Sequence, residues 1–208
     1  MLTVDCRTME NELKRGIDLI KRFEGKMNKA YLCPALKWTV GYGHVIFVNG
    51  KMADSKSHKF NELPKEFQNL TDEQCEKLLL KDVVPYANKA KSLCPEVINS
   101  NQLGALTSFA FNCGIKALET SSLRRYINST EEFDVARIEY LFGQWKFADG
   151  RILNGLILRR QAEADLFNEP IAIKIENPPT KQPMEKQKRE MPLWWKKLFP
   201  NRNYILNK

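Results

Sequence analysis

The chain has 208 residues, of which 43% are hydrophobic, enough for one packed domain with an appendage. Its 33 Lys and Arg residues outnumber 25 Asp and Glu, and the net charge of +8 favours an anionic partner: nucleic acid, anionic lipid or a bacterial wall polymer. No run approaches ~18 consecutive apolar residues, so no spanning helix is expected. Residues 1–14 lack an apolar core and carry Asp5, Glu10 and Glu12, so no signal peptide is expected either.

Residues 1–8 read as a lead-in and residues 9–24 as a helix, with Leu13, Ile17, Ile20 and Phe23 on one apolar face. Lys14, Arg15, Lys21 and Arg22 lie largely off that face, and Gly25 suits the C′ stop. Glu24 closes the helix, either as a solvated charge or as a working acid. A carboxyl group set against aromatic surface tends to keep its proton, which suits a general acid near neutral pH. Residues 31–48 are rich in branched and aromatic side chains, with Gly41 and Gly43 allowing bends or close approach by a ligand, and Asn49-Gly50 signals a hairpin. A small antiparallel sheet is expected from about residue 37 to 52. Residues 51–70 form a polar connection with a loop or short helix near Pro64–Phe67, where His58 is solvated. His44 sits nearer the site, as a participant or as a residue that orients a turn.

Thr71-Asp72-Glu73-Gln74 forms a capping box that opens a helix whose core face holds Cys75, Leu78, Leu79 and Val83, with Pro85 as a bend. This helix links a small β-containing lobe to a helical lobe. The chain turns helical again from Asn99, with further helix starts expected at Ser121-Ser122-Leu123 and Thr130-Glu131. Residues 144–151 read as a turn and residues 153–167 as a closing helix. From Pro170 the composition changes: residues 170–208 hold six of the ten prolines and nine basic residues against three acids, or +6 of the total +8. Residues 176–191 read as an extended linker. Leu193-Trp194-Trp195-Lys196-Lys197-Leu198-Phe199 suits an anionic membrane interface or docking back onto the domain.

The five cysteines (Cys6, Cys33, Cys75, Cys94, Cys113) are odd in number and lack CxxC spacing, and only His44 and His58 add imidazoles, so no metal site is expected. Most read as reduced, buried thiols. Cys33 stands apart because of its spacing from Glu24.

Glu24, eight residues, Cys33, five residues, Thr39, then Val40-Gly41-Tyr42-Gly43-His44 resembles the phage-type lysozymes, the muramidase endolysins of T-even and lambdoid phages. In that family the middle position is Asp or sometimes Cys. Ala105-Leu106-Thr107-Ser108-Phe109-Ala110-Phe111-Asn112-Cys113-Gly114 resembles the family's ALxSFxFNxG segment, and Gly155 to Phe167 its GLxxRRxxEaxLF ending. The resemblance covers about residues 9–168. It implies an α+β, lysozyme-like fold over residues 1–169, with a small β-hairpin-containing lobe and a mainly helical lobe. It implies hydrolysis of the β-1,4 bond between N-acetylmuramic acid and N-acetylglucosamine in peptidoglycan, with no cofactor.

On that reading Glu24 is the general acid and Cys33 and Thr39 complete the catalytic set, while Tyr31, Tyr42, His44, Phe111 and Asn112 line the substrate. Phe111 reads equally as core. Arg159 or Arg160 reaches the cleft to pair with an acid, or the pair forms a solvated face. A thiol with a pKa of about 8.5 is only a few per cent thiolate at neutral pH, so Cys33 acts as base or nucleophile, or yields to water held by Thr39. The resemblance also implies release from the cytoplasm to the wall through a partner holin, and a monomer is expected. Two rival functions are a weak wall-glycan binder lacking the usual Asp and a membrane-active basic protein working through Trp194, Trp195, Lys196 and Lys197. Nucleic-acid binding is not expected, because the basic excess lies in the tail.

Overall fold

A computed structural model describes residues 6–94, 98–148 and 150–170. The expectations for the linker and the Trp- and Lys-rich segment therefore lie outside the described residues. The described chain is α+β. Helix α1 (Cys6–Glu24) leads into an antiparallel three-stranded sheet of β1 (Met27–Leu32), β2 (Trp38–Gly41) and β3 (His44–Val45), in the order β1-β2-β3. A second hairpin pairs β4 (Phe47–Val48) with β5 (Lys51–Met52) across Asn49-Gly50. After a 3₁₀ turn (Phe60–Glu62) and α2 (Lys65–Gln68) comes α3 (Asp72–Leu93), which continues through Pro85. Then follow α4 (Ser100–Cys113), α5 (Ile115–Thr120), α6 (Ser122–Ile127), α7 (Val135–Gly143), a hairpin of β6 (Phe147–Ala148) and β7 (Arg151–Ile152), and α8 (Asn154–Asn168).

Several boundaries differ from the sequence reading, each for a local reason. The sheet starts at Met27 rather than near residue 37, because β1 pairs with β2 from Met27 opposite Gly41 to Leu32 opposite Trp38. Residues 144–151 contain the β6–β7 hairpin, so the expected turn is the tip of two short paired strands. Thr130 does not start a helix. Its hydroxyl accepts the amide of Glu132 in a local turn, and Asp134 is the residue that caps α7 through the amide of Arg137. The capping box of α3 has both arms, Gln74 N–H to Thr71 Oγ1 (3.2 Å) and Thr71 N–H to Gln74 Oε1 (2.8 Å).

Two hydrophobic clusters fill the interior. The smaller joins Ala30, Val40, Ile46, Ala53, Leu63, Leu70 and Cys75 under the sheet. The larger packs α1, α3 and α4 with α5, α6, α7 and α8 around Leu13, Ile20, Leu106, Phe109, Phe142 and Phe167. Helix α3 spans both, contributing Cys75 to the first and Leu79, Val83 and Ala87 to the second, while Tyr42 packs against each. At 22 residues α3 is ~33 Å long, so it ties the lobes at a fixed spacing.

What sets the height of α1 is its crossing with α4. The two helices meet at Gly16 and Gly104, where a Cβ on Gly16 would lie 2.5 Å from Gly104 Cα and 2.7 Å from its carbonyl oxygen. Both neighbours are backbone, so neither can swing aside. Gly16→Ala is therefore expected to cost about 2–3 kcal/mol in denaturant unfolding, the upper range for overpacking. Gly155→Ala, at the open start of α8 with no atom within 4 Å of its Cβ, is expected to be neutral or mildly stabilising. Equal stability of the two variants would contradict the close crossing.

Candidate active site

Glu24 is the last residue of α1, and Gly25 follows in the left-handed region at φ 69°, which ends the helix there. A negative charge at a helix C-terminus faces the negative end of the helix dipole and needs a partner. Arg159 of α8 supplies it, donating from Nη1 to Glu24 Oε1 at 2.6 Å. Arg159 is 3% exposed, whereas the Glu24 side chain keeps 24% of its surface. The guanidinium also lies 5.7 Å from the centroid of the Phe23 ring.

Cys33 occupies the turn between β1 and β2. Leu36 N–H donates to the Cys33 carbonyl (2.8 Å), Cys33 N–H donates to Lys37 O (2.9 Å), and Leu36 is left-handed at φ 59°. This is a type I turn closed by a left-handed residue, with Cys33 at its first position and Pro34 at its second. Asp, Asn and Ser favour that first position because their side chains accept amides further round the turn. The Cys33 sulfur takes the same place. Desolvation pushes the thiol up, but the backbone of Lys37, the Thr39 side chain and the backbone of Ala35 and of Cys33 itself together hold it below the ordinary thiol value. The turn thus favours a negative atom at this position, whether oxygen or sulfur. Thr39 is buried on β2, and its hydroxyl donates to Lys37 O (3.1 Å).

Tyr31 stands opposite Thr39 across the β1–β2 pair, and desolvation raises its phenol, with the negative charges of Cys33 and then Glu24 adding to the rise. The other expected substrate residues are placed differently. Tyr42 is half-buried between the two clusters. The His44 ring is held at Nδ1 by Asp82 Oδ2 on α3 (2.8 Å) and stacks on Phe67 at 5.5 Å, ties that orient the turn after β2. Phe111 packs edge-on against Tyr86 at 5.2 Å along the helical cluster. Asn112 is exposed at the end of α4, beside a cavity of about 390 Å³ shared with Cys113, Trp145, Phe147 and Leu156.

Arg159 and Arg160 do not form a solvated face. Both are buried, and between them lies Glu163 with no exposed surface. Glu163 Oε1 accepts from Arg159 Nε (3.3 Å), from Arg160 Nη2 (2.8 Å) and from the Ser108 hydroxyl (2.8 Å). Arg160 Nε adds an ionic contact to Oε2 at 2.8 Å. On its far side Arg160 donates to Cys113 Sγ (2.7 Å) and Asn112 Oδ1 (3.1 Å). Burial pushes the Glu163 carboxyl above its ordinary range, against the pull of Arg160, the Ser108 hydroxyl and Arg159. Burial likewise pushes up the Cys113 thiol, against the pull of Arg160.

Glu163 and Ser108 were not singled out from the sequence. The signal present was spacing: Glu163 lies four residues after Arg159 and three after Arg160, on one helical face. That this face is buried against Ser108 follows only from the packing of α8 on α4.

A helix-borne carboxyl beside a small sheet, backed by a helical lobe, defines a lysozyme-like arrangement. The Phage lysozyme family model matches residues 21–163, and the chain belongs to that family. The endolysin of Bacillus phage B103 is 36% identical over 159 residues, 76% of this chain and 54% of the relative, so this chain spans about half the length of that relative. The solved muramidase domain of SpmX from Asticaccaulis excentricus is 30% identical with a TM-score of 0.58, covering 74% of this chain and 95% of the domain. An endolysin from the Escherichia coli O157:H7 phage FAHEc1 is 28% identical with a TM-score of 0.61, covering 77% of this chain and 95% of the neighbour.

The Cys33 environment is open to a direct check. Alkylation followed at the Cys33 peptide by mass spectrometry is expected to rise with pH at lower values than for an ordinary thiol. Thr39→Val removes one of the groups that hold the thiol down and is expected to move that profile to higher pH. A profile at the ordinary thiol value, unaltered by Thr39→Val, would contradict the turn-held thiolate.

Proposed function

We propose that the protein is an endolysin-type muramidase that hydrolyses the β-1,4 bond from N-acetylmuramic acid to N-acetylglucosamine in bacterial peptidoglycan. What supports this reading is the Glu24 carboxyl held by Arg159 at the end of α1, followed at once by the β1–β2 hairpin that carries Tyr31, Cys33 and Thr39. Glycoside hydrolysis calls for two groups on either side of the scissile bond, one to donate a proton and one to assist the nucleophile. Family membership and the name of the muramidase-domain neighbour support the same choice of substrate.

In this mechanism protonated Glu24 donates to the bridging oxygen as the bond to C1 of the muramic acid breaks. Positive charge develops at C1. Water adds there, and Cys33 as thiolate takes its proton, with Thr39 fixing the sulfur. The alcohol of the N-acetylglucosamine leaves with the proton from Glu24. Two oppositely charged groups therefore hold Glu24 ready: Arg159 orients its carboxyl, and the end of α1 disfavours an unpartnered charge there.

Glu24→Gln keeps the shape and the contact to Arg159 but has no acidic proton. It is expected to abolish release of soluble fragments from purified sacculi while changing stability little, and activity within tenfold of the unaltered protein would overturn the assignment. Cys33→Ala is expected to lose at least ~10²-fold, the scale of a general-base contribution. Cys33→Asp restores a base that is ionised from about pH 4 upward, so it is expected to keep activity and move the acid limb of the pH profile down. Full activity of Cys33→Ala would leave the attacking water to Thr39 alone.

A further inference from the structure

Glu163 is a buried carboxylate that the mechanism does not use, and it lies on the far side of the residue that grips Glu24. This inference rests on the muramidase reading for its kinetic consequence, though not for its geometry. Arg159 is divided between two carboxyl groups: Nη1 meets Glu24 Oε1 at 2.6 Å and Nε meets Glu163 Oε1 at 3.3 Å, while Nη2 reaches the Ser108 carbonyl at 3.4 Å. Each donor edge of the guanidinium is thus engaged from a different element, α1, α8 and α4. A rigid planar fork held in this way has one orientation.

We propose that Glu163 is a positioning residue for Glu24: it fixes Arg159 from behind and takes a share of its charge, so that Arg159 orients the Glu24 carboxyl without locking it as a full ion pair. An acid that must give up a proton is poorly served by an exclusive guanidinium partner, since an adjacent opposite charge favours the ionised form. A second carboxylate on the same guanidinium weakens that pull. Arg160 in turn pairs with Glu163, so the wholly buried carboxyl meets a guanidinium on each side. The charged group bonded to Glu24 is Arg159 from α8, and the charge of Glu24 is also felt by Tyr31 on β1. The charged or titratable groups facing Glu163 are Arg159 and Arg160 on its own helix and Cys113 at the end of α4, with the neutral hydroxyl of Ser108 also bonded to it.

The test is the alkaline limb of the pH–rate profile, where the proton donor is lost. Glu163→Gln keeps the acceptor oxygen and removes the charge, leaving Arg159 wholly to Glu24. The limb is expected to fall by on the order of one pH unit, with the rate at low pH largely kept. Arg160→Met removes the cation that balances Glu163, drawing Arg159 away from Glu24, and the limb is expected to rise. Opposite displacements are the signature. A residue that only supports the fold would lower the rate at every pH and move neither limb. If one variant fails to fold, the sign of the other still decides. Carbon-13 titration of the Glu24 carboxyl in the same proteins reads the effect without any substrate. If Glu24→Gln stays active, the muramidase assignment falls and this titration still judges the role of Glu163. If the titration does not move in the folded variants, the role of Glu163 falls and the assignment of Glu24 stands.

Discussion

A buried carboxylate between two buried guanidinium groups is the constraint on which the site depends. Glu163 has no contact with solvent, and neither Arg159 nor Arg160 has more than a trace. Desolvating such charges costs several kcal/mol each unless every one is paired, and breaking a buried pair typically costs about 3–5 kcal/mol. The pairing therefore fixes the rotation of α8 against α4, because Glu163 must meet the Ser108 hydroxyl while Arg160 reaches the end of α4 at Asn112 and Cys113. Once α8 is fixed, Arg159 has one direction left, toward Glu24.

The other side of the site depends on how close α1 comes to α4. Gly16 against Gly104 allows a backbone contact that any side chain would block, and Glu24 lies eight residues further along the same helix. The short turn after β1 then carries Cys33. What surrounds the thiol there is polar backbone and the Thr39 side chain, which hold it below its ordinary value. An Asp in that position would meet the same groups, which explains in physical terms how a cysteine can stand there: the surroundings stabilise negative charge, and the thiol is pulled toward the thiolate.

Much of this was legible in the sequence. Leu13, Ile17 and Ile20 announced α1 by period, Thr71 and Gln74 announced α3, and the spacing from Glu24 to Thr39 with the glycine-rich run carried the family resemblance. The resemblance to the phage-type lysozymes held in the family match and in the solved neighbours. The parts that were not legible depend on contacts between distant segments. The Arg159–Arg160 pair looks like an exposed charged face until α8 is packed on α4. Its engagement with Glu163 was hidden because i,i+3 and i,i+4 charge pairs are ordinary on solvated helices. His44 showed a similar ambiguity, resolved only by Asp82 and Phe67, which approach from α3 and α2. The start of β1 was missed because Met27, Asn28 and Lys29 have little strand propensity and are held by pairing with β2 and by the bridge from Lys29 to Asn69.

The reaction proposed for this site has water, delivered opposite a proton from Glu24, cleave a muramyl glycosidic bond. Mass spectrometry of the fragments released from purified peptidoglycan tests it most directly. Hydrolysis leaves reducing N-acetylmuramic acid ends that carry the oxygen of solvent water, so digestion in ¹⁸O-labelled water is expected to give muropeptides with that label at the muramic acid terminus. Anhydro-muramic acid ends without label, or fragments cut only in the peptide stems, would contradict it.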